Sequence, residues 1–501
     1  MSEARLSNVR ARTLRNYIGG EWRDSDTGNW LDVENPSTGE TIAQVPISGH
    51  AEAERAIAAA KAAFPGWAAT PADRRAAYFF ALRDRLVSHE EELSRLITEE
   101  MGKSLPDSRA EMKRAIENVE AACGMPILQQ GDKLVGAAAG IDGEVLRLPV
   151  GVFAMIPPFN FPGMVPFWFL PYAIAAGNTY IVKPSEQVPC TMQRIAELIA
   201  DCGFPPGVFN LVNGAREAAE TLVESPDVAG VSFVGSSRVA RLIAEGCART
   251  GKRFQAMGSA KNHLVIMPDA KMGDVVRNLI TSGYGCAGQR CMASSVIVGV
   301  GRDTCAEVTE RFIEASKQVI VADPLDPKVA DEAMVMGPVI SAQAKTRIEG
   351  LIETGVEEGA TLALDGRSIR VPGGEGGHFI GPTVLTNVQP GTEVHRTEIF
   401  GPVQSIIQTD ALDEAIAVIN AHEYGNGASI YTQNGWYARK FKVEANCGMI
   451  GVNVGIPAPV AFLPFGGMKG SQFADVKAQG KAVIRFFTEE KVVTERYWPE
   501  T

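Results

Sequence analysis

The pattern of hydrophobic and polar positions changes near residue 150. Before that point, apolar residues recur at helical spacing, which predicts a mainly helical first third. Helices are predicted near 51–64, from Pro71 past Ser88 toward Met101, and over 107–122. We expect Thr70 to cap the second of these helices.

Beyond residue 150, short β-branched or apolar runs alternate with helical stretches. The predicted strands are GVFAMI (151–156), TYIVK (179–183), VFNLV (208–212), VSFVG (231–235) and RFQAM (253–257). The predicted helices between them cover 163–176, 189–201, 216–224 and 237–249. This alternation indicates an α/β fold, in which a parallel sheet carries helices on both faces and binds ligands at the carboxyl ends of its strands.

A second α/β unit is predicted from about residue 260 to about residue 445. It begins with NHLVIM (262–267), a helix near 272–285 and SSVIVGVG (294–301). No flexible linker separates the two units, so we expect a ligand cleft between them. The tail AVIRFFTEEKVV (482–493) reads as a late strand, and one use of such an arm is pairing with another subunit.

Composition excludes several classes of function. The chain has 501 residues and a net charge of −11, so it lacks the general basic field that binds nucleic acid or an anionic membrane. Eight cysteines without a CxxC pair and six scattered histidines predict neither a disulfide framework nor a metal site. The uncharged stretch 148–182 contains six prolines, which favours buried protein interior over a membrane span.

These features favour a cytoplasmic protein in a reducing compartment. The amino-terminal segment lacks the apolar core of a secretory signal, although a short organellar presequence stays open.

Two glycine-containing segments compete as phosphate-binding turns. The GxGxxG pattern at 283–288 follows a predicted helix and precedes a predicted strand, the reverse of the order that a dinucleotide site requires. The segment Phe233-Val-Gly-Ser-Ser closes a strand and opens a helix, so it presents free backbone N–H groups to an anion.

Three polar side chains are candidates for chemistry, each with a plain structural alternative. Cys291 follows Arg290, which would help a nucleophilic thiolate form, but either Cys291 or Cys286 could be a small buried hydrophobe. Asn160 lies in the turn IPPFNFPG, as a structural hydrogen bonder or as a donor to an oxyanion. Lys183 ends a strand, where its charge would either bind a phosphate or ribose or lie in a solvated loop.

Taken in order, the motifs resemble the aldehyde dehydrogenase superfamily over nearly the whole chain. The matching segments are PPFNFPGMVPFW (157–168), VKPSE (182–186), FVGSS (233–237), GQRCMASS (288–295), EIFGPV (398–403), YGNGASI (424–430), GVNVGIPAP (451–459) and PFGGMKGS (464–471). FNFP, GQRCMA, GSAKNH (258–263) and IMPDA (266–270) look most like the CoA-acylating methylmalonate-semialdehyde dehydrogenase branch.

The resemblance implies a fold with three parts. These are a Rossmann-type parallel-sheet NAD domain at 1–260, an α/β catalytic domain at 261–445, and a return segment with a carboxyl-terminal β oligomerisation arm at 446–501. Residues 131–149 are expected to contribute to the arm. A homo-oligomer, either dimer or homotetramer, is therefore expected.

The resemblance also implies the roles of single residues. Cys291 is the nucleophile, and Asn160 holds the oxyanion. The residues expected to bind NAD are Phe159 in the cofactor cleft, Lys183 and Glu186 at the adenosine ribose, Ser236 at the pyrophosphate and Glu398 at the nicotinamide ribose. The carboxylate of Glu186 would repel a 2′-phosphate, which favours NAD over NADP.

One departure from the hydrolytic members bears on the second substrate. Where they carry a glutamate that activates water, this chain reads Gln-Ala-Met-Gly-Ser at 255–259. Without that base, coenzyme A is the expected acceptor of the acyl group. The segment SQFADVKAQGKAVIRFF (471–487) departs from the branch pattern, which leaves the substrate contacts open.

Arg114 and Arg290 match arginines that bind the substrate carboxylate in this branch, and a guanidinium suits that role because it binds a carboxylate through two hydrogen bonds. The alternatives are that Arg290 only lowers the thiol pKa and that Arg114 is an ordinary charge on a helix surface. The expected reaction is NAD-dependent oxidation of methylmalonate or malonate semialdehyde to propionyl-CoA or acetyl-CoA with loss of CO2. The alternatives are a hydrolytic semialdehyde dehydrogenase and a catalytically silent relative kept for binding.

Overall fold

The computed structural model describes residues 12–332 and 334–498. The segment in which a presequence stays open falls largely on residues 1–11, outside the described residues. The strands are β1 (Arg12–Thr13), β2 (Asn16–Ile18), β3 (Glu21–Arg23), β4 (Trp30–Glu34), β5 (Thr41–Pro46), β6 (Lys133–Ala138), β7 (Ile141–Pro149), β8 (Val152–Ile156), β9 (Thr179–Val182), β10 (Phe209–Leu211), β11 (Val228–Val234), β12 (Arg253–Met257), β13 (Asn262–Ile266), β14 (Ser294–Val300), β15 (Ile320–Val321), β16 (Val335–Met336), β17 (Thr361–Leu364), β18 (Thr383–Thr386), β19 (Val403–Thr409), β20 (Tyr424–Gly425), β21 (Gly427–Tyr431), β22 (Met449–Val452), β23 (Met468–Lys469), β24 (Gln472–Phe473) and β25 (Thr488–Glu495).

The helices are α1 (His50–Ala68), α2 (Ala72–Ser88), α3 (Glu90–Met101), α4 (Leu105–Cys123), α5 (Met125–Leu128), α6 (Leu170–Ala175), α7 (Pro189–Asp201), α8 (Arg216–Glu224), α9 (Ser237–Arg249), α10 (Met272–Tyr284), α11 (Arg302–Ser316), α12 (Ala342–Glu357), α13 (Glu393–Arg396), α14 (Leu412–Ala421), α15 (Gly435–Glu444) and α16 (Gly480–Phe487). Short 3-10 helices lie at Val165–Trp168 and Gly285–Gly288. Helices α7, α8 and α9 have the predicted bounds.

Two sheets organise the molecule. The first sheet has the order β24-β12-β11-β8-β9-β10-β2-β3, and its strands from β12 to β10 are parallel. The second sheet has the order β17-β18-β19-β14-β13-β21-β22 and is parallel from β18 to β22. A third, antiparallel sheet joins β6, β7 and β25, with Thr488 paired to Pro149 and Glu495 to Asp142; we call it the arm sheet. The α/β class with parallel sheets is thus confirmed.

The chain departs from three sequence predictions at element boundaries. The helix predicted from residue 71 to 101 breaks at His89 into α2 and α3, and the Thr70 hydroxyl bonds to the Gly66 carbonyl instead of capping α2. The stretch 163–176 forms a 3-10 helix followed by α6. The tail is helical in α16 before it becomes strand β25, because Val483, Ile484 and Phe487 bury one helix face.

Each sheet carries its own apolar core. The helices α2, α4 and α6 pack with one face of the first sheet, and α1, α8 and α9 cover the other. The second sheet is enclosed by α10, α11, α12 and α14. Most of 151–182 is buried, as predicted, whereas Leu148 is partly exposed in the arm sheet. Within the described ranges, no helix has the length and apolar character to cross a membrane.

Candidate active site

The candidate site lies where the two sheets face each other. Asn160 and Lys183 follow β8 and β9, at the carboxyl edge of the first sheet. Cys291 and Glu398 precede β14 and β19, at the amino edge of the second sheet. The cleft expected between the units therefore uses opposite edges of the two sheets.

Cys291 opens onto a cavity of about 350 Å³. The loop that carries it is strained, since Cys286 and Ala287 have φ values of 55° and 50° in the left-handed region. The GxGxxG pattern falls on this loop, between α10 and β14. It is therefore not a strand-to-helix phosphate turn.

Two asparagine amides fix the backbone of Cys291. The Asn262 and Asn426 side chains donate to the Cys291 carbonyl oxygen at 2.8 and 2.9 Å. Asn262 also accepts from Gly427 N, which joins the starts of β13 and β21. Neither asparagine was predicted as a site residue, although both lie in matched motifs.

The thiol of Cys291 is neutral in this environment. Burial and the nearby Glu398 carboxylate raise its pKa to about 12, and Arg290 opposes this only as a small contribution. Arg290 therefore acts in the predicted direction, but its effect on the Cys291 pKa is smaller than that of burial.

Asn160 points toward the loop that carries Cys291. Its side chain is buried, and its amide nitrogen donates to the Gln289 carbonyl at 2.9 Å. The amide has two N–H bonds, so a second N–H remains beside the one given to Gln289. Lys103 donates to the Asn160 carbonyl at 2.5 Å and fixes the turn from below.

Lys103 forms a fully buried ion pair with Glu111, which lines the same cavity. Lys103 Nζ lies 2.6 Å from Glu111 Oε2. Glu111 Oε1 accepts from the backbone N–H groups of Gly163 and Met164 at 2.8 and 3.0 Å. Both carboxylate oxygens are thus engaged in holding the turn around Asn160, which makes Glu111 a poor base for water.

Arg290 and Arg114 line the Cys291 cavity together. Arg290 is paired with Asp107 at 2.6 Å, and Asp107 also accepts from Cys286 N at 3.2 Å. Arg114 pairs with Glu117 at 2.7 Å and stays partly exposed. Each guanidinium keeps further N–H donors, so the pair suits a small carboxylate.

The position lacking a glutamate is apolar. Met257 is buried in the same hydrophobic cluster as Met292, with Cys291 packed against it. The Gln255 amide is turned away and donates to the carbonyls of Val476 and Lys477, both at 3.1 Å. No carboxylate stands at 255–259, so this segment holds no base for water.

A second cavity, of about 600 Å³, lies beyond β9 and is walled by α8 and α9. Lys183 and Glu186 line it, 3.3 Å apart. The buried ammonium of Lys183 also donates to the carbonyls of Pro184 and Gly214. The cavity combines apolar side chains such as Ile156, Leu242 and Ile243 with charged ones, so it offers both an apolar surface for an adenine and polar partners for ribose hydroxyls.

The cleft between the two cavities contains the remaining predicted cofactor residues. Ser236 caps α9 by accepting from Val239 N, at the helix end that favours a phosphate. The Phe159 ring meets Phe400 edge to face at 5.7 Å. Glu398 accepts from Ala260 N at 3.0 Å, and burial raises its pKa to about 7.

A buried histidine cluster supports the Glu398 segment, and its hydrogen bonds fix the tautomers. His395 Nδ1 accepts from Gly391 N, so its Nε2 carries the proton and donates to His263 Nε2 at 3.1 Å. His263 Nδ1 then donates to the Lys261 carbonyl, and His422 Nε2 donates to the His395 carbonyl. Among the described residues, no group of three or more potential ligands has the arrangement of a metal site.

These histidines predict acid sensitivity. Burial lowers the pKa of His395 and of His422 to about 4, and it lowers the pKa of His263 well below the ordinary value. The unfolded chain, with histidine pKa values of about 6.5, then binds more protons than the fold below that pH. Stability should therefore fall as pH drops from about 6.5 to about 4.

Urea unfolding at a series of pH values measures this effect. His422→Gln should lower the slope of unfolding free energy against pH by about one proton over that window, whatever it does to stability at pH 8. Equal slopes for variant and wild type would contradict the neutral-imidazole assignment.

Comparisons with known proteins extend over the whole site. The aldehyde dehydrogenase family model matches residues 22–493. A malonate-semialdehyde dehydrogenase of Geobacillus thermodenitrificans is 46% identical over 486 residues, which cover 97% of this chain and 99% of that protein. The methylmalonate-semialdehyde dehydrogenase structure from Oceanimonas doudoroffii has a TM-score of 0.94 and 40% identity, covering 98% of this chain and 99% of that one.

A Sinorhizobium meliloti protein, solved in complex with NAD under the provisional name methylmalonate-semialdehyde dehydrogenase, has a TM-score of 0.95 and 41% identity; the match covers 98% of this chain and 99% of that one. The resemblance drawn from the motifs is confirmed by these matches. The chain belongs to the aldehyde dehydrogenase family.

Proposed function

We propose that this protein oxidises malonate semialdehyde, methylmalonate semialdehyde or both, with NAD as hydride acceptor and coenzyme A as acyl acceptor. The products would be acetyl-CoA or propionyl-CoA, CO2 and NADH. The observation that carries the proposal is one cavity that holds Cys291 with Arg114 and Arg290. The names of relatives such as the Geobacillus enzyme support the substrate class.

The carbon chemistry rests on Cys291 and Asn160. The thiol loses its proton and its sulfur bonds to the aldehyde carbon, while the carbonyl oxygen gains negative charge. The Asn160 amide and the Cys291 N–H stabilise that oxygen, because preorganised donors act strongly at a site that excludes water. Loss of a hydride from the same carbon leaves an acyl thioester on Cys291.

Bound NAD would supply the acceptor for that hydride. Lys183 and Glu186 are proposed to hold the adenosine ribose, Ser236 the pyrophosphate and Glu398 the nicotinamide ribose. Phe159 would line the cofactor cleft. The donors and walls of the 600 Å³ cavity support this arrangement.

The next step transfers the acyl group. Met257 offers no base, and both oxygens of Glu111 are hydrogen-bonded, so hydrolysis of the thioester is expected to be slow. The CoA thiolate attacks the thioester carbon and releases the Cys291 thiolate. CO2 leaves when the bond between the carboxylate carbon and the α-carbon breaks, and the enolate that remains takes a proton from solvent at the α-carbon. A thiolate is already deprotonated and is a strong nucleophile, so, unlike water, it needs no base from the protein at this step.

Arg290 is proposed to bind the substrate carboxylate, and Gly285 makes room for its guanidinium. A Cβ at Gly285 would lie 2.5 Å from Arg290 Nη1, although the glycine's φ of −54° suits any residue. We expect Gly285→Ala to raise KM for malonate semialdehyde by about tenfold or more, as one bidentate contact is lost.

The Gly285→Ala variant should leave turnover of propanal nearly unchanged, because propanal has no carboxylate. The matched control is Gly273→Ala, where a new Cβ meets open space in helix α10. Steady-state kinetics with both aldehydes test the pair. Equal losses for the two substrates would speak against Arg290 as the carboxylate ligand.

The experiment that tests the whole proposal measures NADH formation from both semialdehydes, with and without CoA, and identifies the acyl product. Turnover that requires CoA and yields acetyl-CoA or propionyl-CoA supports it. Steady release of the free acid without CoA would identify a hydrolytic enzyme. An inert Cys291 thiol without turnover would favour a silent relative.

The wider organisation follows the family. We propose an NAD domain at 1–260, a catalytic domain at 261–445, and a return segment with the arm at 446–501, residues 131–149 joining the arm. The exposed Leu134, Val135 and Val492 of the arm sheet support its role in a homo-oligomer, as a dimer or homotetramer. The proposed location is the cytoplasm.

A further inference from the structure

Gln479 occupies a backbone conformation that residues other than glycine rarely adopt. Its φ is 48° and its ψ is −179°, and its side chain is buried. Strain of this kind persists only where the surroundings determine it, and it is concentrated at functional sites. Gln479 also lines the cavity of Cys291, in the segment whose sequence departs from the branch pattern.

The Gln479 amide binds the loop that forms the apolar wall of this cavity. Residues 456–465, here called the wall loop, contribute Ile456, Ala458, Pro459, Ala461 and Phe465 to the lining. The Gln479 Nε2 donates to the carbonyls of Pro459, Val460 and Leu463 at 3.4, 3.2 and 3.1 Å. The Gln479 side chain thus contacts carbonyls before the loop's tip, at Pro459 and Val460, and at the tip itself, at Leu463.

Other contacts hold the Ala461 and Phe465 positions of the wall loop: the Tyr172 hydroxyl donates to the Ala461 carbonyl at 3.4 Å, and the Phe465 ring lies 4.2 Å from the Trp168 ring. Prolines at 457, 459 and 464 remove backbone donors from it. Its tip is turned outward, with Phe462 64% and Leu463 57% exposed. The two neighbours of Gln479 in sequence bind the inner side of the loop. Gly480 N donates to the Ala461 carbonyl, and Ala478 exchanges backbone hydrogen bonds with Phe465.

We infer that Gln479 is a positioning residue for substrate selection: it clamps the wall loop against the side of the cavity that carries Arg114 and Arg290, and so limits the site to short semialdehydes with a carboxylate. This inference rests on the proposed function. A released loop would widen a cavity of only about 350 Å³ and admit a longer chain. The catalytic groups Cys291 and Asn160 would stay in place, since neither bonds to the loop.

The test uses two variants with opposite effects on the backbone. Gln479→Met keeps the length of the side chain but removes the donors, whereas Gln479→Gly removes the donors and relieves the strain. Gln129→Met is the matched control, because Gln129 also donates to two carbonyls, of Arg147 and Ala176, but lies outside the cavity. The full chain is used, with melting temperatures to verify folding.

The kinetic readout is kcat/KM for malonate semialdehyde divided by kcat/KM for succinate semialdehyde, which is one methylene longer. We expect both Gln479 variants to lower this ratio about tenfold, the scale on which a pocket discriminates one methylene. The change should come from KM for the aldehydes, with KM for NAD unchanged. Gln129→Met should keep the wild-type ratio.

Hydrogen–deuterium exchange of the backbone amides in 456–465 is measured on the same proteins. We expect faster exchange than in the wild type for both Gln479 variants, and no change for Gln129→Met. An unchanged ratio in folded variants would overturn the inference. So would an equal loss of kcat/KM for both aldehydes, which marks a merely structural residue. If the wild type oxidises neither aldehyde, the proposed function fails, and unchanged exchange would then separately refute the clamp.

Discussion

Cys291→Ala is expected to lower NADH formation by about 10⁴-fold or more while NAD binding survives. The carbon–sulfur bond that starts the reaction has no substitute, because removal of a covalent nucleophile typically costs this much. NAD binding should persist, since the proposed adenosine contacts at Lys183 and Glu186 belong to the other cavity. Initial rates with malonate semialdehyde and CoA, with NAD binding followed by fluorescence, measure both quantities.

Cys286→Ala is the matched control. Cys286 is buried five residues earlier in the same loop, and its sulfur faces Met101 Sδ at 3.6 Å. We expect it to keep most of the activity, because alanine already stands in the left-handed region at the next position. Appreciable turnover by Cys291→Ala, or loss of turnover in Cys286→Ala alone, would contradict the assignment of Cys291 as the nucleophile.

The elements that the sequence predicted well are those whose signal is local. Helices α7 to α9 and the strands between them follow directly from apolar periodicity and from strand-to-helix turns such as the one capped by Ser236. The split at His89 was missed because α2 and α3 share one continuous apolar pattern. The α16 helix was missed since its apolar run suits a strand as well as a helix.

The site was predictable only in part for a topological reason. Parallel α/β sheets bind ligands at the carboxyl ends of their strands, and Asn160 and Lys183 could be predicted because they follow such ends. The second sheet contributes its amino edge, so Asn262 and Asn426 could be found only from the motifs that contain them. Burial is the main cause of the raised pKa of Cys291, and it depends on how both units pack around the thiol. The residues next to Cys291 in sequence therefore do not predict it.

The buried support beneath Asn160 was likewise hidden in helix α4. Glu111 reads in sequence as an ordinary charged residue of an amphipathic helix. In the structure it is paired with Lys103 and fixes the turn at 163–164. Removing one partner of such a buried pair leaves an uncompensated charge. Substitution of either residue is therefore expected to lower the stability of the fold, and any effect on catalysis follows from that.

Asn160→Ala is the second variant with a large expected effect. It removes one of two proposed donors to the oxyanion, and loss of one such donor costs about 10²- to 10³-fold in kcat. KM for NAD should change little, because Asn160 does not line the cavity beyond β9. Lys103 bonds the backbone carbonyl of residue 160, which alanine retains, so the turn should keep its shape.

A structural asparagine separates this effect from a general loss of stability. Asn434 caps helix α15 by accepting from Trp436 N and Tyr437 N. Asn434→Ala should cost about 1 kcal/mol of unfolding free energy and leave kcat unchanged. Asn160→Ala should instead lower kcat while Cys291 remains open to labelling, since the oxyanion forms only after sulfur meets the aldehyde. A kcat for Asn160→Ala within a factor of about three of wild type would mean that the Cys291 N–H alone holds the oxygen.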